Sequence, residues 1–423
     1  MQIEYNDQFQ AALTSLESGT KPLFITGKAG TGKSTLLKLF LEKTEKNCVV
    51  LAPTGVAALN VKGSTIHSFF GFRPGITVEK AREKGKNVKK NSLIHSLHTI
   101  VIDEISMVRS DLLDCIDAFL QAANNKKLPF GGIRMVFIGD LFQLPPVLRS
   151  EEKEVFEQVY ESPYFFSSKA MKETTFEVIE LEKIYRQNDL AFIEVLNAIR
   201  KNRVSPDQLD FINQRVIPSA EKNPSIYLTA INQAADAINE EKLQTISSPL
   251  HSFPAVVEGE FENSYAPTDG DLKMKVGAQV MLLTNNPEGL WVNGTIGRVI
   301  EIKEKEILVQ KEEGGRVTVE PFKWTLYKYR LDEAKKLIHD EVGSFTQYPL
   351  CLAWAITIHK SQGKTFDRAV VDLSRSFAPG QTYVALSRLR TFDGLFLKVP
   401  VKKEQIKMSH HVTQFFNQWH DWT

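Results

Sequence analysis

Gly27-Lys28-Ala29-Gly30-Thr31-Gly32-Lys33-Ser34 is the stretch on which the reading of this chain turns. Before it, the apolar run Leu23-Phe24-Ile25 predicts a buried strand; after it, Thr35-Leu36-Leu37-Lys38-Leu39-Phe40-Leu41 predicts a helix. Between strand and helix, Gly27, Gly30 and Gly32 let backbone N–H groups turn inward and wrap a phosphate chain at the positive end of the helix. Lys33 reaches the β- and γ-phosphates in this reading, and the Ser34 hydroxyl holds Mg²⁺. Thr31 and Thr35 complete the candidate nucleotide contacts. The chain is expected to bind a nucleoside triphosphate, with ATP and Mg²⁺ as its cofactors.

Working outward, the apolar runs Val49-Val50-Leu51-Ala52, Ile100-Val101-Ile102, Met135-Val136-Phe137-Ile138 and Ala369-Val370-Val371 predict further parallel strands. Unbroken apolar strands separated by helical stretches indicate an α/β sheet covered on both faces, with ligands at the carboxyl ends of the strands. The second of these runs delivers Asp103-Glu104. There Asp103 is expected to support Mg²⁺, while Glu104 orients and deprotonates the attacking water. The same pair also suits the start of a helix around Asp111–Leu120, where acids are favoured. The third run ends Gly139-Asp140-Leu141-Phe142-Gln143-Leu144-Pro145-Pro146. Here Gln143 is placed to sense the γ-phosphate, and the prolines stiffen the segment that passes the signal on.

Bulk properties set bounds on the rest. At 423 residues the chain suits two to four domains, and its 42% hydrophobic and 24% charged content is ordinary for a soluble globular protein. A net charge of +1 excludes a polycation, so nucleic-acid contact has to come from local basic surface. Cys48, Cys115 and Cys351 lie far apart with no metal-type spacing and read as free thiols. Met1–Asp7 carries no signal pattern and no run is long enough to span a bilayer, which leads to the expectation of a cytoplasmic location, nucleoid-associated in a bacterium.

The ordered series now resembles a known family. Ala52-Pro53-Thr54-Gly55-Val56-Ala57-Ala58 precedes Thr65-Ile66-His67-Ser68-Phe69. Leu181-Glu182-Lys183-Ile184-Tyr185-Arg186-Gln187-Asn188-Asp189 leads on to Phe192-Ile193-Glu194-Val195-Leu196-Asn197-Ala198-Ile199-Arg200. Thr357-Ile358-His359-Lys360-Ser361-Gln362-Gly363-Lys364-Thr365-Phe366 and Tyr383-Val384-Ala385-Leu386-Ser387-Arg388 close the series. It is similar to the superfamily 1, group B DNA helicases of the petite integration frequency (Pif) family, from Gln8 to about Leu395, with Leu181–Arg200 similar to that family's own signature. Pro254–Asp271 and Glu301–Val342 match only loosely.

The resemblance implies an ATP-driven motor moving 5′→3′ on single-stranded DNA and opening duplex at single-strand/double-strand junctions. It admits G-quadruplex or RNA–DNA hybrid substrates and roles in DNA repair, recombination and telomere maintenance, for a protein monomeric without DNA and independent of membranes. Two other readings stand beside it: a nucleotide-switched clamp that separates no strand, and a motor directed to RNA. Its fold implies two RecA-like P-loop lobes. Lobe 1A covers residues 1–69 and 91–177, with a basic insertion 1B at 70–90; lobe 2A covers 178–232 and 346–423, with an SH3-like β-barrel insertion 2B at 233–345. Short alternating runs near residues 279–283, 298–302, 306–310 and 316–320 suit that small antiparallel barrel.

Within this frame Arg186 and Arg388 are the candidate cations that enter from the second lobe, and Gln362-Gly363 touches the nucleotide from the same side. Gln8 is the candidate for the adenine edge, although Asn6 or Asp7 capping a helix explains the same stretch. For DNA the candidates are Pro53, Thr54, Thr65, His67, Phe72, Pro145, Asn293, Thr357, His359 and Lys360, groups suited to phosphates or to base faces. His67 and His359 equally suit a core, and an Asn-Gly turn alone explains Asn293. Phe69 or Phe70 is read as core, Phe72 as a DNA contact, and the basic run 79–90 as a small protruding subdomain.

Overall fold

The computed structural model describes residues 6–187, 189–217, 226–333 and 337–418. Met1–Tyr5, part of the stretch read for a signal pattern, and Asn188 of the signature-like stretch lie outside them. The fold is mixed α/β around parallel sheets. Strands β1 (Leu23–Gly27), β2 (Cys48–Ala52), β3 (Ser64–Thr65), β4 (Thr99–Ile102), β5 (Arg134–Ile138) and β6 (Glu177–Leu181) form one parallel sheet in the order β3-β2-β4-β5-β1-β6. Every residue of β1, β2, β4 and β5 is buried, as strands covered on both faces require. Their polar sequels, including the phosphate loop, Asp103-Glu104 and Asp140, therefore gather along one rim of the sheet.

Strand β7 (Tyr227–Thr229) begins a second parallel sheet that the chain completes only after a long excursion. The excursion holds β8 (His251–Pro254), β9 (Val256–Gly259), β10 (Asp271–Met274), β11 (Gln279–Leu282), β12 (Ile296–Ile302), β13 (Ile307–Lys311), β14 (Arg316–Val319), β15 (Phe322–Leu331), β16 (Leu337–Gln347) and β17 (Leu350–Leu352). The chain then returns through β18 (Ala355–Thr357), β19 (Ala369–Asp372) and β20 (Leu395–Leu397), giving the second sheet the order β18-β7-β19-β20. The four alternating runs read from the sequence form β11 to β14, which meander antiparallel in a five-stranded sheet, β14-β13-β12-β11-β17. What the loosely matching stretch concealed is the β15–β16 hairpin, paired from Phe322↔Gln347 to Leu331↔Leu337 and joined by β9. Its Trp324, Leu326 and Phe345 are buried with Phe261 and Tyr265 in a small core of their own.

Two expectations near the basic insertion need correcting. Phe72 is internal rather than open to DNA: it is 5% exposed, stacked on Phe70 at 5.2 Å and edge-on to Phe119 at 5.8 Å. Three aromatic rings that can pack together gain more from leaving water than one ring gains from a base. The basic run is also not a protruding unit. Its helix, Val78–Lys86, lies on the helix Ser110–Asn124, so close that a Cβ on Gly85 would stand 2.3 Å from the Phe119 carbonyl oxygen. Lys80, Arg82, Lys84 and Lys86 remain exposed on the outer side.

The helix His410–Asn417, although it follows the second sheet in sequence, packs its rings against the first. Phe415 stacks on Phe166 at 4.4 Å and Phe416 on Phe142 at 5.2 Å, with Phe24 of β1 edge-on to Phe415. No described helix is long and apolar enough to cross a membrane. Cys48, Cys115 and Cys351 are free thiols, and burial pushes Cys48 and Cys115 up to about 12.

Candidate nucleotide site and nucleic-acid cleft

The phosphate loop turns from β1 into the helix Lys33–Lys43, whose N-cap, Gly32, stands at φ 88° and offers no side-chain cap. The first-turn N–H groups of such a helix have no intrahelical partner, which makes them ready donors to an anion. Lys33 folds back over the loop and donates to the carbonyls of Gly27 at 2.6 Å and Lys28 at 3.0 Å. Burial lowers its affinity for a proton, while the carboxylates of Asp140, Glu104 and Asp103 facing it pull the other way. These donors and acids fit a triphosphate with its magnesium: N–H groups and an ammonium for the phosphates, the exposed Ser34 hydroxyl and Asp103 for the cation.

Asp103 accepts from the Glu104 N–H at 2.9 Å. Glu104 itself is in the left-handed region, at φ 50° and ψ 42°, a conformation that costs a non-glycine residue roughly 1–2 kcal/mol. Strain of this kind concentrates where a side chain must be aimed. Burial first, and then the neighbouring Asp103 charge, raise the Glu104 carboxyl to about 7.

Elements of the second sheet meet the first around these groups. Gln362 Nε2 donates to Glu104 Oε2 at 3.2 Å and to Gln143 Oε1 at 3.3 Å. The Ala29 N–H donates to the Tyr383 hydroxyl at 3.1 Å, and the Tyr185 N–H to the Gly30 carbonyl at 2.9 Å. Arg186 lies against the loop so closely that a Cβ on Gly30, at φ 83°, would stand 2.5 Å from the Arg186 Cβ. Only glycine serves there. Arg388 is 1% exposed and donates to the Val384 carbonyl, the Lys364 carbonyl and the Ser387 hydroxyl. Burial and the nearby Arg186 charge lower it to about 9, with Glu104 and Asp140 opposing. Gln8 is engaged within the protein, its Nε2 donating to Glu182 at 2.9 Å and its Oε1 accepting from the Glu182 N–H at 3.1 Å. The helix it belongs to is capped by Asn6, as the alternative reading had it.

A cleft of 2640 Å³ runs on from this seam. It brings together Ser34, Thr35, Asp103, Glu104, Thr54, Asn293, Thr357, His359, Lys360, Gln362 and Gly363, with Tyr329 and His339 of the β15–β16 hairpin on its wall. Pro53, His67 and Pro145 are half-buried and do not line it. His359 and Lys360 are exposed, whereas Thr357 is 2% exposed and accepts from the Lys360 N–H. Asn293 accepts from Lys364 Nζ at 2.6 Å. Thr65 is closed off from DNA: it is buried and its hydroxyl meets the Tyr265 hydroxyl at 2.9 Å. Asp140, Arg200 and Tyr383 carry contacts that residue types alone had not singled out, although all three stand inside the motifs quoted above.

The chain matches the family described as PIF1-like helicase over residues 3–208. The ATP-dependent DNA helicase Pif1 of Bdellovibrio bacteriovorus is 34% identical over 99% of this chain and 93% of its own length. The human ATP-dependent DNA helicase PIF1 is 36% identical over 91% of this chain, which spans only 59% of that protein. Among solved structures, Bacteroides sp Pif1 in complex with ADP-AlF4 aligns with a TM-score of 0.91 at 37% identity, covering 99% of this chain and 97% of that one. The Bacteroides Pif1 bound to ssDNA aligns over the same shares at 36% identity with a TM-score of 0.68. With identity above 30% along nearly the full length of a relative, this chain belongs to the PIF1-like helicase family.

Proposed function

We propose that this chain is an ATP-driven DNA helicase that advances 5′→3′ along a single strand and parts the duplex ahead of it. The observation that carries the reading is the Gln362 amide, delivered by the second sheet onto Glu104 and Gln143 of the first. Hydrolysis chemistry and the relative position of the two halves are thereby joined in one hydrogen-bonded cluster.

In this reading the six-stranded and four-stranded sheets are two RecA-like lobes, and β11 to β14 with β17 form an SH3-like insertion. Lys33 and the loop N–H groups hold the phosphates, and Ser34 and Asp103 hold a magnesium ion that neutralises phosphate charge. Glu104 takes a proton from the attacking water while Gln143 senses the γ-phosphate, and Arg186 and Arg388 stabilise charge from the second lobe. A guanidinium of this type contributes about 10³–10⁵ in rate. Gln8 serves the adenine edge. Thr54, Thr357, His359, Lys360 and Asn293 grip the strand in the cleft, with Pro53, His67 and Pro145 flanking it.

The Bacteroides relative aligns at 0.91 with ADP-AlF4 and at 0.68 with ssDNA, at nearly equal identity, so its two forms differ in how their parts are arranged. DNA entering the present chain is expected to displace the β15–β16 hairpin and free Thr65. Separating a base pair costs roughly 1.4 kcal/mol of stacking on average, which ATP turnover has to supply repeatedly. The test uses a tailed duplex with ATP and Mg²⁺. Displacement that needs a 5′ tail supports the reading; displacement that needs a 3′ tail overturns its polarity, and none with either tail overturns the motor.

A further inference from the structure

Arg200 ends the helix Leu190–Arg200, whose Phe192 rests near Phe392 of the second half, at 6.1 Å between ring centroids. Arg200 is 2% exposed and its guanidinium crosses to the first sheet, giving Nη2 to Asp140 Oδ1 at 3.2 Å and Nη1 to Glu180 at 3.4 Å. It lies 4.0 Å above the Phe142 ring, which also stacks with Phe416. From Asp140 the contacts continue without a break. Gln143 Nε2 donates to Asp140 Oδ2 at 3.3 Å, and Gln143 Oε1 accepts from Gln362, which also donates to Glu104.

The direction of this relay follows from chemistry. A carboxylate only accepts, so Gln143 has to present its NH₂ to Asp140 and its oxygen to Gln362. Gln362 then has only its NH₂ to offer, and Glu104 receives a donor. The far end is held by Arg200, the counter-charge buried against Asp140 at 1% exposure. Without it, Asp140 is left facing Lys33, and the glutamines lose the fixed acceptor that orients them.

We propose that Arg200 is a positioning residue for hydrolysis: through Asp140 and Gln143 it sets the Gln362 amide against Glu104, so that turnover depends on where the Leu190–Arg200 helix stands. This rests on the reading of Glu104 as the base. The experiment measures ATP turnover of the full chain with saturating oligo-dT, and separately its affinity for a fluorescent ADP analogue. In Arg200→Gln, kcat is expected to fall about tenfold or more with nucleotide affinity within about threefold of the parent, because misplacement of a positioned group is felt in the chemical step. Combining Arg200→Gln with Gln362→Ala should cost little beyond the larger single loss, as expected for members of one chain. Arg200→Lys, which keeps the charge without the fork, should recover part of kcat.

Turnover of Arg200→Gln within about twofold of the parent overturns the proposal, as do losses that multiply in the double variant. If Arg200→Gln does not fold, Arg200→Lys decides alone: lowered kcat at unchanged affinity supports the role, and parental kcat overturns it. Glu104→Gln separates the two failures. Turnover persisting there sinks the base assignment and the endpoint of the relay with it; turnover lost there but intact in Arg200→Gln sinks the positioning role alone.

Discussion

The two halves of the molecule meet along two seams of opposite character. At the nucleotide seam Arg388, Arg200, Asp140 and Gln143 are all buried; Arg200 is paired with Asp140, while Arg388 is held by carbonyls and a hydroxyl. At the hairpin seam β15–β16 touches the first half through a few hydrogen bonds and through Tyr329, whose ring stands edge-on to Phe69 at 6.1 Å. Tyr329 Oη accepts from the Val50 N–H at 3.0 Å and donates to the Val50 carbonyl at 3.3 Å, and the Leu337 N–H donates to Asn47 at 3.1 Å. Tyr265 adds its hydroxyl bond to Thr65. The hairpin's own ion pairs, Lys323–Glu341 and Arg330–Asp340, and its pair Lys328–Glu260 are exposed. Parting the first seam strands buried charge; parting the second exchanges protein hydrogen bonds for water at small net cost. In the proposed motor, one seam waits for a phosphate and the other lets go.

That contrast can be broken in several places. Lys33→Ala should abolish measurable ATP hydrolysis while oligo-dT binding, followed by fluorescence anisotropy, persists; turnover surviving this change would remove the phosphate loop from the nucleotide seam. Arg186→Ala should lower kcat by about 10³-fold with nucleotide affinity much less affected, which single-turnover hydrolysis would show. Phe72→Ala should cost about 3–5 kcal/mol in chemical denaturation, as expected of an emptied aromatic core site. Its DNA affinity, measured where the protein stays folded, should be that of the parent, since the ring is internal. Tyr329→Phe removes only the hydroxyl at the hairpin seam and should cost about 1 kcal/mol. Hydrolysis without DNA should be unchanged, and oligo-dT binding slightly tighter, as the hairpin is released more easily.

The legibility of the sequence follows the same division. Strands covered on both faces announce themselves as unbroken apolar runs, so β1, β2, β4, β5 and β19 stand within a residue or two of where the runs lie. The phosphate loop and Asp103-Glu104 are local motifs, and local motifs survive being read one stretch at a time. Phe72 misled because a phenylalanine beside lysines suits a base as well as a core, and only the helix Ser110–Asn124 arriving from far along the chain decides between them. The same holds for Thr65, whose hydroxyl is claimed by Tyr265, 200 positions away in sequence. The Glu104 left-handed backbone and the Arg200–Asp140 pair likewise exist only once the sheets have formed. The β15–β16 hairpin could have been suspected from Trp324 and Leu326, apolar positions two residues apart and so on a single strand face.

The late placement of Phe416 sets an order on biogenesis. The ring it stacks upon belongs to Phe142, directly beside Gln143, and that ring also carries the Arg200 guanidinium. Every strand of both parallel sheets has already been synthesised by the time residue 416 is added. Until then the nascent polypeptide holds the phosphate loop and Gln143 but lacks the ring that packs on Phe142 next to it.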